Sequence, residues 1–374
     1  MKFKLPGKAL QTNLQVMGKV LNAKNTISIL DNFLLKVEGN RLWITGTDSE
    51  TTMVTWLEIF EAEGEGEVAV ASKTLMEMAR EVGNQPLDFV MDDETRHIDV
   101  NYMNGHFEFM GIDGSEFPRR AADSEESREL LVPAEVIAKG IDNTLYAVSS
   151  DTIRPAMTGI FWDVKEDNIT FVSSDTHKLV RYINSQVKPG FEGGFILPSK
   201  PAGILRSMIG KEDTEVKMRI TSKGAVFEVG NYKMTCKFII GNYPNYNRVI
   251  INDSPYYLTV NREALLTAVR RVSLFASKST SLVKCMISAS SIKMVARDYD
   301  YSTLGEETVE CNYFGQPMMI GFSTGYMIDI LSHLNCEELR INLVDPARPG
   351  LFEPLEQQPD ENIVVLQMPI QVME

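Results

Sequence analysis

The chain has 374 residues, of which 44% are hydrophobic and 24% are charged, and its formal net charge at pH 7 is −14. This composition is that of an ordinary globular protein with room for two or three domains. The acidic charge excludes a protein held to nucleic acid mainly by indiscriminate attraction to phosphates, because such proteins are normally basic.

The first predicted helix carries apolar residues on one face. Leu10, Leu14, Met17 and Leu21 follow the i, i+4, i+7, i+11 spacing of an amphipathic helix. The pattern returns 127 and 255 positions later, at Ile137, Ile141, Thr144 and Val148 and at Leu265, Val269, Val272 and Ala276. The recurrence indicates an internal threefold repeat.

A second helix recurs in each copy of the repeat. A serine before an apolar stripe predicts an N-cap, and a glycine or asparagine after it predicts a left-handed C-cap. The predicted N-caps are Ser72, Ser199 and Ser323, and the predicted C-caps are Gly83, Gly210 and Asn335.

Alternating apolar and polar residues between the helices predict antiparallel strands. The segments 33–46, 159–174 and 285–297 each read as two strands joined by a short polar turn. Strand ends repeat as well, with aspartates at Asp48, Asp175 and Asp298. The fold class is therefore α+β, and polar breaks at 121–130 and 251–257 divide the chain into domains 1–126, 127–251 and 252–374.

The four cysteines are far apart and form no CxxC pair; they are Cys236, Cys285, Cys311 and Cys336. Neither a zinc site nor a disulfide framework is indicated, and we expect no metal, no cofactor and reduced thiols. The N-terminus lacks the apolar run of a signal peptide, and no stretch approaches the roughly 18 apolar residues of a membrane span. We therefore expect a cytoplasmic protein without membrane contact.

Six motifs, in this order and spacing, resemble those of the bacterial DNA polymerase III beta subunits, the DNA sliding clamps. They are RPAMTGIFW (154–162), SSDTHKL (173–179), LPSKPAGIL (197–205), GNYPNYNRVI (241–250), IGFSTGYMIDIL (320–331) and VLQMPIQV (365–372). The resemblance implies a DNA clamp: three domains, each with two helices packed on antiparallel sheet, and a ring closed by a head-to-tail homodimer. Double-stranded DNA would pass through a ring with a mildly basic lumen, and the chain would be a non-catalytic processivity factor.

Basic residues on or near the predicted helices are candidates for the DNA-facing lumen. They are Lys24, Lys73, Lys200, Arg206, Arg270 and Arg271. Lys73 and Lys200 follow the predicted capping serine in two repeats, which favours a shared role over a chance surface charge. Each would make a weak contact to phosphate, independent of base sequence.

The resemblance also implies a cleft between the second and third domains. Short peptides containing Leu and Phe, from the replicative polymerase, the clamp loader and repair proteins, would bind there. By position its residues are Met157, Ser174, Thr176, His177, Lys178, Leu179, Pro244, Arg248, Val249, Ser323, Tyr326, Leu366, Met368, Pro369 and Ile370. Apolar members would form an adaptable floor, and His177, Lys178 and Arg248 a polar rim.

The sequence departs from the family pattern near this cleft. Thr176 stands where glycine is more frequent, Thr280 replaces an aromatic residue, and Gln371 replaces an arginine. The segment 346–362 reads as a lengthened loop, which leaves a cleft role for Gly350 and Leu351 open.

Closure of the ring is expected to use an apolar pair at the end of a helix. By family position, Leu274 and Phe275 of the third domain would pack near Phe109 in the first domain of the partner. A plain core segment is the alternative for this pair, because residues that close an obligate dimer resemble a core.

An enzyme remains the alternative class of function. Ser173, Asp175 and His177 alternate along a predicted strand, and the second copy alone has the imidazole. Side chains two apart on a strand are about 7 Å from each other, beyond the roughly 3.2 Å reach of a nucleophile and its base. A local triad fails on this geometry, but a hydrolase on a triplicated α+β scaffold with its site around His177 stays open.

Overall fold

The helices of the chain are short and amphipathic, as their apolar spacing predicts. In a computed structural model, which describes residues 1–119, 126–251 and 253–372, they are α1 (Gly7–Met17), α2 (Ser72–Val82), α3 (Ala134–Thr144), α4 (Ser199–Met208), α5 (Arg262–Ser273) and α6 (Thr324–His333). No helix in these three ranges is long and apolar enough to cross a membrane. Residues 121–125 of the predicted break at 121–130, and Asn252 of the second break, lie outside the described residues.

The strands connect the helices as the alternating segments predict. The first eleven are β1 (Lys2–Pro6), β2 (Asn32–Glu38), β3 (Arg41–Thr47), β4 (Thr51–Glu58), β5 (Phe60–Glu63), β6 (Gly66–Ala71), β7 (Pro86–Met91), β8 (His97–Tyr102), β9 (Gly105–Met110), β10 (Ile112–Asp113) and β11 (Arg128–Pro133). The next seven are β12 (Gly159–Val164), β13 (Ile169–Ser174), β14 (Lys178–Asn184), β15 (Gly193–Pro198), β16 (Glu215–Ile220), β17 (Gly224–Val229) and β18 (Tyr232–Lys237). The last nine are β19 (Tyr256–Asn261), β20 (Leu282–Ser288), β21 (Ser291–Asp298), β22 (Thr303–Glu310), β23 (Asn312–Phe314), β24 (Met318–Ser323), β25 (Glu338–Leu343), β26 (Gly350–Pro354) and β27 (Glu361–Gln367).

The repeated apolar positions form the core face of the first helix in each copy. The first three positions are buried in all three copies, from Leu10 to Val272. The fourth position, Leu21, Val148 or Ala276, lies beyond the helix end and is partly buried. The helical pattern is therefore confirmed, except that each helix ends one turn earlier than the apolar spacing suggests.

The predicted N-caps are right at one helix and wrong at two. Ser323 is the N-cap of α6, although its side chain makes no capping bond. Ser72 and Ser199 are instead the first residues of α2 and α4. The hydroxyl of Ser72 donates to the carbonyl oxygen of Asp31 at 2.6 Å, so it ties the helix start to a distant loop and does not cap it.

The three predicted C-caps have different outcomes in the structure. Gly83 is the C-cap of α2 and donates its N–H to Ala79, but its φ of 65° and ψ of −122° are a glycine conformation other than the predicted left-handed one. Gly210 lies beyond the end of α4 and donates to the Asp213 carboxylate at 2.7 Å. Helix α6 ends at Leu334 in extended backbone, so Asn335 is not the cap.

The chain forms two compact units, and each contains a nine-stranded antiparallel sheet. The first unit, Met1–Ile137 with Lys200–Phe238, has sheets in the order β5-β1-β7-β8-β9 and β10-β6-β2-β3-β4-β18-β17-β16-β11. The second unit, Ala138–Ser199 with Ile239–Glu374, has sheets in the order β15-β12-β13-β14-β27-β26-β25-β19-β23 and β22-β21-β20-β24. Helix α1 packs on α2 in the first unit, and α5 packs on α6 in the second.

Each nine-stranded sheet joins strands from two different copies of the repeat. In the first unit β4 pairs antiparallel with β18, and Thr55 lies opposite Tyr232. In the second unit β14 pairs in the same way with β27, and Leu179 lies opposite Leu366. Hydrogen-bonded sheet therefore runs without interruption across the first and second repeats, and again across the second and third.

A glycine in the middle of α3 allows the helix to approach the sheet closely. A Cβ atom on Gly140 would lie 2.5–2.7 Å from three ring atoms of Phe171, which is fully buried. We expect overpacking in Gly140→Ala to lower the free energy of unfolding by about 1–3 kcal/mol. The higher helix propensity of alanine offsets about 1 kcal/mol of this loss. Chemical denaturation measures the change, and added Phe171→Leu should recover part of the loss. An increase in stability on Gly140→Ala would contradict this packing.

Candidate functional site

The motif around Asp175 is a hairpin turn between β13 and β14. One carboxylate oxygen of Asp175 accepts hydrogen bonds from the backbone N–H of His177 at 3.0 Å and of Lys178 at 2.8 Å. The same pair of bonds forms at the equivalent aspartates, from Glu50 and Thr51 to Asp48 and from Asp300 and Tyr301 to Asp298. The recurring aspartate therefore shapes a turn in every copy, as Asx turns do.

The serines of this motif are bound to backbone carbonyls. Ser173 is fully buried and donates to Thr144 at 2.5 Å, and Ser174 donates to Lys178 at 2.8 Å. Strand β13 ends at Ser174, so the prediction that Ser173, Asp175 and His177 alternate along one strand is wrong. A buried hydroxyl with this partner is not an accessible nucleophile, and the hydrolase alternative gains no support from the structure.

Thr176 occupies a backbone conformation that favours glycine. Its φ is +78°, in the left-handed region that β-branched residues rarely adopt, and its side chain is exposed. Ser49 takes the equivalent position in the first copy with a φ of +77°. The geometry thus gives a physical reason why glycine suits this position of the turn.

Thr176→Gly is expected to stabilise the protein. Relief of the left-handed strain, about 1–2 kcal/mol, exceeds the extra chain entropy of glycine, about 0.4–1 kcal/mol. A net rise of about 0.5–1 kcal/mol in the free energy of unfolding should appear in denaturant titration. The matched control is Gly39→Ala, because Gly39 has a φ of +58° and no atom within 4 Å of the added Cβ. That control should lose about 1 kcal/mol; a stability loss on Thr176→Gly would show that the strain is absent.

Lys178 is buried in a polar cluster and does not lie on an exposed rim. Its ammonium lies 2.8 Å from Asp175 and 3.5 Å from Asp329, and 4.6 Å above the ring of Tyr326. The residue is 5% exposed, so its charge is balanced inside the protein. The predicted rim role of Lys178 is therefore corrected to a structural one. Burial, reinforced by the charge of Asp175, raises the pKa of the Tyr326 phenol.

The terminal segment is fixed to this turn by backbone bonds. Met368 donates its N–H to the carbonyl of His177 at 2.8 Å, and Ile370 donates to Gly321 at 2.8 Å. These bonds place 368–370 beside the 175–178 turn and the end of β24. The side chain of Met368 is 40% exposed, and Pro369 and Ile370 are partly exposed.

An apolar cluster lies beneath the turn. Leu179 and Leu366 face each other across β14 and β27. The buried cluster is formed by Val172, Leu179, Tyr246, Ile250, Leu351, Val364 and Leu366. Leu179 and Leu366, at 6% and 3% exposure, belong to the core more than to an open surface.

The segment predicted as a lengthened loop contains a strand that the sequence analysis missed. Strand β26 pairs with β25 on one side and with β27 on the other, and Leu351 lies opposite Leu366. Leu351 is therefore part of the apolar cluster beneath the turn. The short run GLFEP offers a weak signal by itself, since its strand form depends on two neighbours distant in the sequence.

Residues from other elements, with different degrees of exposure, complete the candidate set. His177 stacks on Tyr326 with ring centroids 5.6 Å apart. Arg248 and Val249 are exposed at the short helical turn that begins with the buried Tyr246. The remaining members are Met157 and Ser323, which are partly buried, and Pro244, which is exposed.

The candidate DNA-facing residues have different surroundings. Lys24, Lys73 and Arg270 are exposed, and Arg206 is partly exposed. The Lys200 ammonium donates to the Val20 carbonyl, Asn22 and Asp48 at 2.6–2.7 Å. A phosphate contact by Lys200 would have to replace one of these bonds.

Arg271 pairs with a carboxylate on β22. Two of its guanidinium nitrogens donate to Glu307, and these bonds hold the pKa of the Glu307 carboxyl below its ordinary value. The pair is at the surface, so solvent screens much of its energy.

The candidate ring-closing residues are apolar and uncovered within the chain. Leu274 is 79% exposed and Phe275 is 41% exposed. The Phe275 ring lies against Gly305 of β22, where an added Cβ would be 2.7 Å from the ring. Phe109 lies on β9 and is partly exposed.

Three family models match successive parts of the chain. Residues 1–121 match the N-terminal domain, 131–245 the central domain and 247–371 the C-terminal domain of the DNA polymerase III beta subunit.

Characterised relatives match over the whole length. The beta sliding clamp of Caulobacter vibrioides is 27% identical over 383 residues, covering 100% of this chain and 100% of the relative. That of Pseudomonas aeruginosa is 24% identical over 369 residues, covering 98% of this chain and 100% of the relative.

Solved structures share the fold. A sliding clamp from Pseudomonas aeruginosa bound to griselimycin superposes with a TM-score of 0.93 at 23% identity. The beta subunit from Thermotoga maritima superposes with a TM-score of 0.91 at 21% identity, and both comparisons cover 100% of each chain. Three consecutive domain matches, full-length relatives and a shared fold agree, and the chain therefore belongs to the DNA polymerase III beta subunit family, the sliding clamps of bacteria.

Proposed function

We propose that this chain is the DNA sliding clamp of its organism, a homodimeric ring that holds polymerases on double-stranded DNA. The observation that carries the proposal is the pairing of strands between repeats. A joint is the antiparallel pairing of a strand from one repeat with a strand from another. Two of the three equivalent joints form within the chain, and the two strands that would form the third are unpaired on one side, at the edges of their sheets.

The equivalence follows from the repeat spacing. Strands β4, β14 and β22 follow the three turn aspartates, and β9, β18 and β27 lie near the ends of the successive repeats. β4 pairs with β18, and β14 pairs with β27, but β22 and β9 are edge strands of their sheets. Unpaired edges favour addition of another strand. A second copy that supplies β9 to β22, and receives β22 on its own β9, closes a head-to-tail ring with two joints of the same kind.

The uncovered apolar residues lie beside these edges. Phe109 is on β9, and Phe275, which follows the exposed Leu274, lies against Gly305 of β22. Burial of these side chains in the partner contact would remove from water the apolar surface that the single chain leaves exposed. Three domains, 1–126, 127–251 and 252–374, per chain would give a ring of six.

DNA is proposed to pass through the ring without tight binding. Exposed Lys24, Lys73 and Arg270 are suited to weak phosphate contacts. Lys200 and Arg271 already bond within the chain, and with Arg206 they are proposed as secondary contributors. A net charge of −14 agrees with retention by topology, because strong phosphate pairing would resist sliding.

The surface around the 175–178 turn is proposed as the docking cleft for partner proteins. Met368, Pro369 and Val249 offer exposed apolar contacts above the buried leucine cluster. An extended peptide with Leu and Phe side chains, from the replicative polymerase, the clamp loader or repair proteins, suits such a surface. The role is non-catalytic, because the hydroxyls of the motif serve the turn and the buried sheet.

Topological retention tests the proposed function. The chain is loaded with its clamp loader onto nicked circular DNA and separated by gel filtration. We expect it to remain on circles and to leave after a restriction enzyme linearises them, since nothing but the ring holds it. Equal retention on circular and linear DNA would exclude a sliding clamp.

A further inference from the structure

Four potential metal ligands lie on one face of the β8–β9 hairpin. In this antiparallel pair Asp99 is opposite Glu108, and Asn101 is opposite His106. Paired residues point to the same face, and side chains alternate along each strand. His97, Asp99, His106 and Glu108 therefore share the outer face, whereas Ile98 and Val100 are fully buried on the other.

The side chains are already close to each other. One ring nitrogen of His97 lies 3.3 Å from Asp99, and the other lies 3.8 Å from Glu108. His106 approaches the second oxygen of Glu108 at 3.2 Å. His97, Asp99 and Glu108 each offer one ligand atom, and these atoms all lie within 4.8 Å of one another. Ligands of a tetrahedral zinc ion are roughly 3.4 Å apart, so the three side chains have to move closer to bind one ion.

The two carboxylates on this face repel each other. Carboxylates directly opposite each other on antiparallel strands destabilise a hairpin, and Asp99 and Glu108 are such a pair. Two of the four histidines in the chain flank these carboxylates. A divalent ion would offset the repulsion and use the His97 imidazole.

We propose that His97, Asp99 and Glu108 form a binding site for a divalent transition metal of the zinc class, with His106 positioning the Glu108 carboxylate. One imidazole nitrogen and two carboxylate oxygens are ligands that zinc accepts, with water in the fourth position, and imidazole disfavours magnesium and calcium. The side chains of His97, Asp99 and Glu108 are partly or largely exposed, so the ion reaches them from solvent and they can rotate towards it.

The site shares β9 with the proposed ring joint, but its side chains stand on the face opposite to Phe109. Phe109 alternates with Glu108 along β9 and so points to the opposite face. The turn at 175–178 belongs to the other compact unit. Zinc titration and topological retention on circular DNA are separate measurements, so failure of one proposal is distinguishable from failure of the other.

Titration of the full-length chain with zinc tests the site. The protein carries no histidine tag, is stripped with a chelator, and is titrated by isothermal calorimetry. We expect one ion per chain, and His97→Ala or Glu108→Gln should weaken binding at least about 10-fold, with His106→Ala acting in the same direction. Bound cobalt should give a visible absorption band that the same variants reduce.

His177→Ala is the matched control, because it removes an exposed imidazole from a different unit. It should leave zinc affinity and stoichiometry unchanged. Thermal unfolding of each metal-free variant checks that the hairpin is folded. Absence of zinc binding by the unaltered chain, or unchanged affinity in folded His97→Ala, would overturn the proposal.

Discussion

Met368→Ala combined with Pro369→Ala is expected to weaken binding of a Leu- and Phe-containing polymerase peptide by roughly 10- to 100-fold, about 1.4–2.7 kcal/mol. Met368 is exposed and Pro369 is partly exposed on a segment that backbone bonds of Met368 and Ile370 hold beside the 175–178 turn. Truncation removes apolar contact area but leaves the Met368 N–H and its bond to His177 in place. Fluorescence anisotropy with a labelled peptide measures the affinity.

A methionine elsewhere in the same unit provides the control. Met319 on β24 is 37% exposed, close to the 40% of Met368, and it lies outside the proposed cleft. Met319→Ala should bind the peptide with unchanged affinity, and light scattering should find both variants dimeric. Equal affinity of the double variant and the unaltered chain would remove Met368 and Pro369 from the site.

The repeat and its core could be predicted from the sequence because both depend on local periodicity. Leu10, Ile137 and Leu265 occupy equivalent positions, and all three are buried. Burial on a short helix follows from which residues share a face, and that face is fixed by 3.6 residues per turn. The same reasoning identified the strand pairs, whose period is two.

Helix ends and charge partners could not be predicted, because they depend on residues distant in the chain. The local sequence predicts Ser72 as an N-cap, but in the folded chain its hydroxyl donates to the carbonyl oxygen of Asp31. The local sequence predicts Lys178 as a surface cation, but in the folded chain its ammonium lies 3.5 Å from the Asp329 carboxylate. Local propensity carries no information about such partners.

The candidate metal cluster shows the same limit. His97 and Asp99 are two residues apart, but the spacing to His106 and Glu108 matches no zinc motif that sequence alone identifies. Pairing of Asp99 with Glu108 across the hairpin creates the cluster. A site assembled by strand register becomes visible when the register is known.

Leu274→Lys is expected to convert the proposed dimer to monomers at micromolar concentration. Leu274 is 79% exposed in the single chain, so a lysine there costs the monomer little. In the closed ring the same lysine would bury an unpaired charge at the contact near Phe109. The dimer dissociation constant should rise roughly 100- to 1,000-fold, about 3–4 kcal/mol.

Size-exclusion chromatography with light scattering measures this change, and Ile240→Lys is the matched control. Ile240 is 92% exposed and lies away from β9 and β22 in the sequence, so its variant should remain dimeric. Both variants should unfold at temperatures close to each other under conditions where both are monomeric, because neither side chain is buried within the chain. A Leu274→Lys protein that stays dimeric at nanomolar concentration would place the ring contact elsewhere. Because topological retention on circular DNA requires a closed ring, the variant that dissociates should also be the one that leaves intact circles.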